Sequence, residues 1–386
     1  MSNKSKREYL IVVRLHYSQC QNKKEKSILI SEVVTNLGIV RKSAIRLLGK
    51  KTLIRRKSLR SRKIIYGFDL IKPLKEIWKA SGHPCSKRLK PQISEMIKKL
   101  KEFNEIRLYK NQEELLKKMS TFTIDRLLEA EKDISKKEYG LSGTKRSPLL
   151  KTLIPIRTFF NKEETKEPGH TEMDCVLHCG ESLSGQYAET LNVLDIYSHW
   201  NEKKIFLKKT KAKIVGAFHD MRIKHFPFPI RSIDFDNGFE FVNWILKGYC
   251  NRSNISYTRS RSYHKNDQAH IEGKNYQSVR KVTGYERISD PKLVEMINDI
   301  YQNEHRLLTN FFYTTLKLKE KKRIGSKVTK AYEEARTPYQ RLLETDKISK
   351  EIKDKLIKKY KRLNPAQLQR SLIRKLEKIK KYSLVT

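Results

Sequence analysis

From Thr171 onward the sequence breaks into short apolar runs of strand length, bounded by polar turns or by helical stretches. "TEMDCVLHC", "YAETLNVLDIYS" and "KKIFLKK" follow one another with only turn-like residues between them. "IRSIDF" and "ISYTRS" instead alternate with helical stretches near 211–224 and 239–252 and from about 268. Strands joined by tight turns pair antiparallel, whereas strands separated by a helix return parallel. The pattern therefore predicts a mixed five-stranded α/β sheet. A polar stretch, "KEYGLSGTKRSPLL" and then "NKEETKEPGH", precedes it and has the Gly, Pro, Ser and charge content of a linker.

The residues before that linker read as helical and basic. "SILISEVVTNLGIVRKSAIRLLGK" (27–50) has a helix-turn-helix rhythm: an apolar helix around Ile28 to Asn36, a turn at Gly38, and a cationic helix from about Arg41. In that arrangement the second helix enters the major groove, so Arg41, Lys42, Ser43 and Arg46 are candidate DNA contacts. An ordinary amphipathic hairpin with Ile45, Leu47 and Leu48 in its core fits the same pattern. A second helical unit follows, with Ile71, Leu74, Ile77 and Trp78 on one face, a break at Gly82 and Pro84, and Lys87 and Arg88 leading the next segment as further contact candidates. Ser120 is placed to cap a third helix, and Trp78 and Cys85 read as core. After Asp290 the chain is again helical and basic, with a break at Asn364-Pro365, and no internal repeat is present. The expected organisation is multidomain: a helix-turn-helix domain over 1–66, a second helical DNA-binding domain over 67–140, a linker over 141–167, an α/β core over 168–290 and a basic region over 291–386.

Charge points to the partner. Against 43 acidic residues stand 84 Lys and Arg, a formal charge of +41. Such an excess repels itself and is tolerated best beside a polyanion whose counterions it displaces. The charge is clustered: "KKTLIRRKSLRSRK" (50–63) holds eight cations and no acid, and "LKLKEKKRIGSKVTK" (316–330) holds seven cations and one acid. Double-stranded DNA is the expected partner. No run has the length and apolarity of a signal peptide or membrane span. The five cysteines are scattered without a Cys-x-x-Cys pair, so neither a disulfide framework nor a zinc ribbon is indicated, and a reducing cytoplasmic location is expected.

Three carboxylates stand out. Asp174 lies in the strand "EMDCV", where alternation puts Glu172, Asp174, Val176 and His178 on one face and Met173, Cys175 and Cys179 on the other. Asp236 ends the strand in "SIDFDNG", at the carboxyl edge where open α/β sheets place ligands. Glu272, in "SYHKNDQAHIEGKNYQSVRK", falls just beyond the first turn of a helix capped by Asn266 or Asp267. Thirty-five residues lie between Asp236 and Glu272. Asp234 reads as a hydrogen-bonded strand residue, Glu240 as a dipole partner of the following helix, and Asp195 as a turn residue after a strand. Three oxygen-rich side chains suit magnesium, which prefers hard ligands and keeps several waters. A pair of such ions can serve both the attacking and the leaving oxygen of a phosphodiester.

This ordered set resembles the DDE transposase/integrase superfamily, which includes retroviral integrases and bacterial insertion-sequence transposases. The likeness rests on Asp174, on Asp236 in "DNGFEF", on Glu272 in "YHKNDQAHIEGKN", and on the flanks "PGHTEMD", "LDIYSHW" and "TPYQRLL", spanning about 168–345. It implies a ribonuclease-H-like core in which Asp174, Asp236 and Glu272 hold two Mg2+ ions, with Mn2+ able to substitute. It implies cleavage at a transposon end and attack of the freed 3′-hydroxyl on target DNA, by a homodimer or larger assembly in a bacterial cytoplasm, associated with the nucleoid. His264, Lys265 and Asn266 are candidates to line the scissile phosphate, and Lys274 and Arg280 to contact phosphate. The chain departs from the retroviral pattern in lacking a His/Cys zinc domain at its start and in carrying Tyr276 and Val279 where the retroviral helix has lysines. The competing reading is a non-catalytic helix-turn-helix regulator derived from a transposase.

Overall fold

The computed structural model describes residues 3–49, 65–129, 131, 166–207, 210–235, 244–259, 271, 274–324 and 326–383. They fall into two compact units, Met1–Ile65 and Tyr66–Thr386.

The first unit is built of α1 (Asn3–Gln19), α2 (Lys23–Leu37) and α3 (Arg41–Leu48). Asn22 caps α2 by accepting the Glu25 amide at 2.8 Å and donating to the Glu25 carboxylate at 2.7 Å, which satisfies an otherwise orphan donor. Gly38 ends α2 at φ +63°, a left-handed conformation that costs glycine nothing, and returns its amide to the Val34 carbonyl. Leu10, Val13, Ile30, Val33, Ala44 and Leu48 form the core. Ala44 occupies the inward position that the sequence pattern offers to Ile45, whose side chain is 44 % exposed.

The second unit has one continuous apolar core. Leu74, Ile77 and Trp78 of α4 (Ile71–Ala80) share it with Met173, Val193 and Phe235 of the strands and with Tyr301 and Phe312. Trp78 is buried as expected and donates its indole N–H to the Pro84 carbonyl at 2.9 Å. Cys85 is exposed rather than core, because it stands at the N-cap of the short helix Ser86–Leu89 instead of on its inner face. Ser120 caps Thr121–Leu127 through the Thr123 amide.

The sheet is mixed and five-stranded. Its strands are β1 (His170–His178), β2 (Ala188–Asp195), β3 (Asn201–Leu207), β4 (Ser232–Phe235) and β5 (Ser256–Arg259), in the order β3-β2-β1-β4-β5. The first three pair antiparallel, and β4 and β5 add parallel to β1 after helical crossovers. The helices Lys211–Lys224 and Trp244–Arg252 supply those crossovers. Residues 239–243 of the expected second helix lie outside the described residues. Asp195 closes the β2–β3 turn: its carboxylate accepts the Gly169 amide (2.7 Å), the Ser198 amide (2.7 Å) and the Ser198 hydroxyl (2.5 Å). That is the turn role its position implies.

After Asp290 come the helices Pro291–Gln302 and Glu304–Phe311, but the chain is not helical throughout. Leu318–Ile324 (β6) and Lys327–Tyr332 (β7) form an antiparallel hairpin. The density of lysines masks strand alternation here. The hairpin signal reduces to the dipeptide Gly325-Ser326 between two runs. Helices Pro338–Glu344, Lys350–Lys361 and Pro365–Ser383 complete the unit. Among the described residues no helix is long and apolar enough to cross a membrane.

Candidate active site on the central strand

β1 is the middle strand of the sheet, and its alternation aims Glu172 and Asp174 at one face. Glu172 is buried and accepts the Ile271 amide at 2.7 Å. Asp174 is half-buried. One oxygen accepts the Cys175 amide at 2.8 Å, and the other accepts the carboxamide N–H of Asn275. Two carboxylates on one strand face therefore grip residues 271 and 275. Asp234 pairs with Glu172 across the parallel β1–β4 ladder, is buried, and accepts the Thr258 hydroxyl at 2.9 Å. It is a hydrogen-bonded strand residue, as expected. The last described residue of β4, Phe235, pairs with Met173, immediately before Asp174.

Behind Asp174 runs a chain of polar side chains that the sequence did not announce. Register aligns Asp174 with Asn192 of β2, and Asn192 with Lys203 of β3. Lys203 donates to Asn201 Oδ1 at 2.8 Å, Asn201 Nδ2 donates to Asn192 Oδ1 at 2.6 Å, Asn192 Nδ2 donates to Asn275 Oδ1 at 2.8 Å, and Asn275 Nδ2 donates to Asp174 Oδ2. A carboxylate can only accept, so Asn275 turns its N–H to Asp174 and the two amides behind it follow in one orientation. Burial holds the Lys203 ammonium below the usual lysine range, with Glu202 opposing the shift. The Lys274 ammonium is held well below that range, first by burial and then by Arg88, Arg341 and Lys203. Burial thus favours the neutral amine at both lysines. Asn192 and Lys203 left one trace in the sequence, as polar residues interrupting buried strands.

Other candidate residues are distributed as follows. Asp236, Glu272, His264, Lys265 and Asn266 lie outside the described residues. Lys42, Arg46 and Lys87 are exposed, and Ser43 is half-buried. Arg41 is exposed and reaches back to the Ser31 and Ser27 hydroxyls at 3.0 and 2.7 Å. Arg88 is engaged within the fold: it donates to the Thr314 carbonyl at 2.7 Å and to Gln277 at 3.2 Å. Arg280 donates to the Leu177 carbonyl at 2.9 Å and lies over the Tyr285 ring. Both guanidiniums brace the 274–283 helix against its surroundings. Among the described residues no three His, Cys, Asp or Glu side chains are grouped for a metal ion.

At the far end of β1, His178 is buried against the Thr190 hydroxyl at 2.7 Å. Burial, with Arg280 nearby, depresses its pKa to about 3, so the fold holds the neutral ring. Between pH 6.5 and 3 the unfolded chain binds this proton and the native one does not, so the contribution is complete above pH 6.5 and is lost as pH falls. From pH 7.5 to 5.5 the stability advantage of the wild type over His178→Gln should shrink by about 1.4 kcal/mol, measured by urea unfolding. A constant difference would show that His178 is protonated in the native state.

Comparison with known proteins adds a relative and two loose structural likenesses. No family model matches the chain. The catalytic core domain of HTLV-2 integrase in complex with magnesium (dimeric form) aligns at a TM-score of 0.28 and 16 % identity, over 38 % of this chain and 90 % of that one. The catalytic core domain of BIV integrase aligns at 0.30 and 16 %, over 46 % and 94 %. At such TM-scores no residue equivalence follows. The "Uncharacterized protein y4rM" of Sinorhizobium fredii is 32 % identical over 325 residues, 83 % of this chain and 90 % of that protein. At that identity and coverage, the chain belongs to the same family as y4rM.

Proposed function

We propose that the protein is a DNA transposase or integrase whose Asp174, Asp236 and Glu272 form a divalent-metal site on a ribonuclease-H-like core. The observation that carries this reading is the placement of Asp174. It stands on the central strand, half-exposed, with β4 paired beside it up to Phe235 and with the 271 and 275 positions hydrogen-bonded to its strand. Asp236 follows Phe235 by one peptide bond, and Glu272 follows Ile271 by one. The mixed five-stranded sheet and the charge of +41 accord with an enzyme that acts on a polyanion.

The donor chemistry fits the metal, since carboxylate oxygens are the hard ligands magnesium selects. Bound there, two Mg2+ ions would supply Lewis-acid stabilisation to the attacking and leaving oxygens of a phosphodiester. The chain's own part is positional. Asn275 fixes the rotamer of Asp174, Glu172 holds the Ile271 amide, and the exposed Lys42, Arg46 and Lys87 offer charge to DNA phosphates. His264, Lys265, Asn266 and Lys274 are proposed to line the DNA end, and α3 to read it in the major groove as the second helix of a helix-turn-helix. Two ends joined in one reaction imply at least two copies of the chain on DNA.

The test uses the full chain with duplexes that carry the ends flanking its gene, with and without Mg2+. Cleaved and joined products that vanish with a chelator are expected. Tight duplex binding without any cut product would favour the regulator reading, and cut products without joined ones would make the protein a nuclease.

A further inference from the structure

The β6–β7 hairpin takes no part in the core. Among the described residues it packs extensively against no other element, and every described side chain from 318 to 334 is exposed, on both faces of the ribbon. A lone two-stranded ribbon is marginal in water and gains nothing from burial in this one. Its sequence is nevertheless costly to hold in place: seven cations against one acid over residues 316–330. Register sets Lys321 directly opposite Lys330, an arrangement of like charges that destabilises an isolated sheet. Glu320, the single acid, is paired with Lys322 at 2.9 Å. Leu318, Val328 and Tyr332 add apolar surface at 48 %, 44 % and 50 % exposure.

The base of the hairpin is fastened firmly. Lys317 donates to the Tyr197 carbonyl at 2.6 Å, the Glu333 amide donates to the Lys317 carbonyl at 2.9 Å, and Thr315 and Arg336 form an antiparallel bridge. Arg341 donates to the Thr315 hydroxyl and carbonyl. Arg88 then ties the Thr314 carbonyl to Gln277, on the same helix whose Asn275 holds Asp174. The ribbon is thus rooted in the framework of the candidate active site, while its length projects free of the core.

We infer that the β6–β7 hairpin is a duplex-DNA-binding ribbon that grips the nucleic acid beside the active site. A two-stranded ribbon fits the major groove, which is about 12 Å wide. Its lysines offset the mutual repulsion by neutralising phosphates on either side. The excess of cations selects a polyanion, and the apolar positions suit contact with groove walls and thymine methyl groups. This inference rests on the reading of the protein as one that acts on DNA, and it adds the element that holds it.

The experiment compares three full-length proteins: wild type, the triple variant Lys319→Gln, Lys322→Gln, Lys330→Gln, and a control with the same charge loss on exposed helical lysines, Lys355→Gln, Lys358→Gln, Lys378→Gln. Duplex affinity is measured from 50 to 300 mM salt. The hairpin variant should bind about tenfold more weakly at the upper salts, with a log–log salt slope shallower by about 2 to 3, and the control should stay near wild type. Unchanged thermal melting keeps a folding defect out of the result, since none of the three lysines is buried. Equal losses in hairpin variant and control would reduce the effect to net charge and overturn the proposal, as would a hairpin variant that binds like wild type. Equal competition by polyglutamate would transfer the ribbon to an acidic protein partner. If wild type itself shows no salt-dependent duplex binding, the DNA-acting reading fails first, and the two failures remain distinct.

Discussion

Asp174→Asn is expected to bind duplex ends as wild type does and to produce no cleaved or joined strand, a fall on the order of 10³-fold or more in Mg2+-dependent rate. The substitution keeps shape and hydrogen-bonding size while removing the negative charge, so it isolates electrostatics from packing. The size follows from what a metal site supplies: several kcal/mol of transition-state charge stabilisation, at tenfold per about 1.4 kcal/mol. Asp236→Asn and Glu272→Gln should match it, because groups that act as one unit lose nearly everything when any one is removed. Asp234→Asn is the informative contrast. Asp234 is buried against Thr258, so its loss should lower stability and leave the Mg2+ requirement unchanged. Robust strand transfer by any of the three variants would sink the assignment.

Asn275→Ala should raise the half-saturating Mg2+ concentration about 10- to 100-fold, the usual cost of losing a group that orients a metal ligand. The carboxamide accepts from Asn192 and donates to Asp174, so its removal deprives both of a partner at once. Asp174 then samples rotamers that point its oxygens away from the site, and excess metal recovers part of the rate. Asn275→Asp should do worse, because it sets a second carboxylate against Asp174 in place of a donor. Lys203→Met tests the reach of the chain. It removes the donor to Asn201, and should shift the Mg2+ requirement in the same direction by less. Calorimetric titration of metal into the DNA-free protein gives a second readout independent of turnover. A folded Asn275→Ala protein with wild-type metal affinity would make Asn275 a packing residue only.

Much of the sheet that carries the candidate site is legible because its signals are local. Strand length, period-2 alternation and the presence or absence of a helix between runs suffice to expect the mixed sheet, and Asp195 and Asp234 reveal their bonded roles through their positions in turn and strand. The hairpin at 318–332 escaped because lysine-rich strands carry no apolar alternation, and its pairing is set by a single short turn. The internal use of Arg88 and Arg280 escaped for another reason. A cation ahead of a helix reads as a phosphate contact until the fold brings a carbonyl such as that of Thr314 or Leu177 within reach.

Order along the chain determined which strands run antiparallel, where the crossover helices fall, and how far apart the notable acids lie, because each depends on neighbours a few residues away. Tertiary structure alone decided that Lys203, Asn201, Asn192 and Asn275 line up behind Asp174. That alignment needs three strands in one register and a helix from some hundred residues downstream docked on their face. No single segment encodes it, since a hydrogen bond between distant residues exists only once the apolar core has fixed the distance between them.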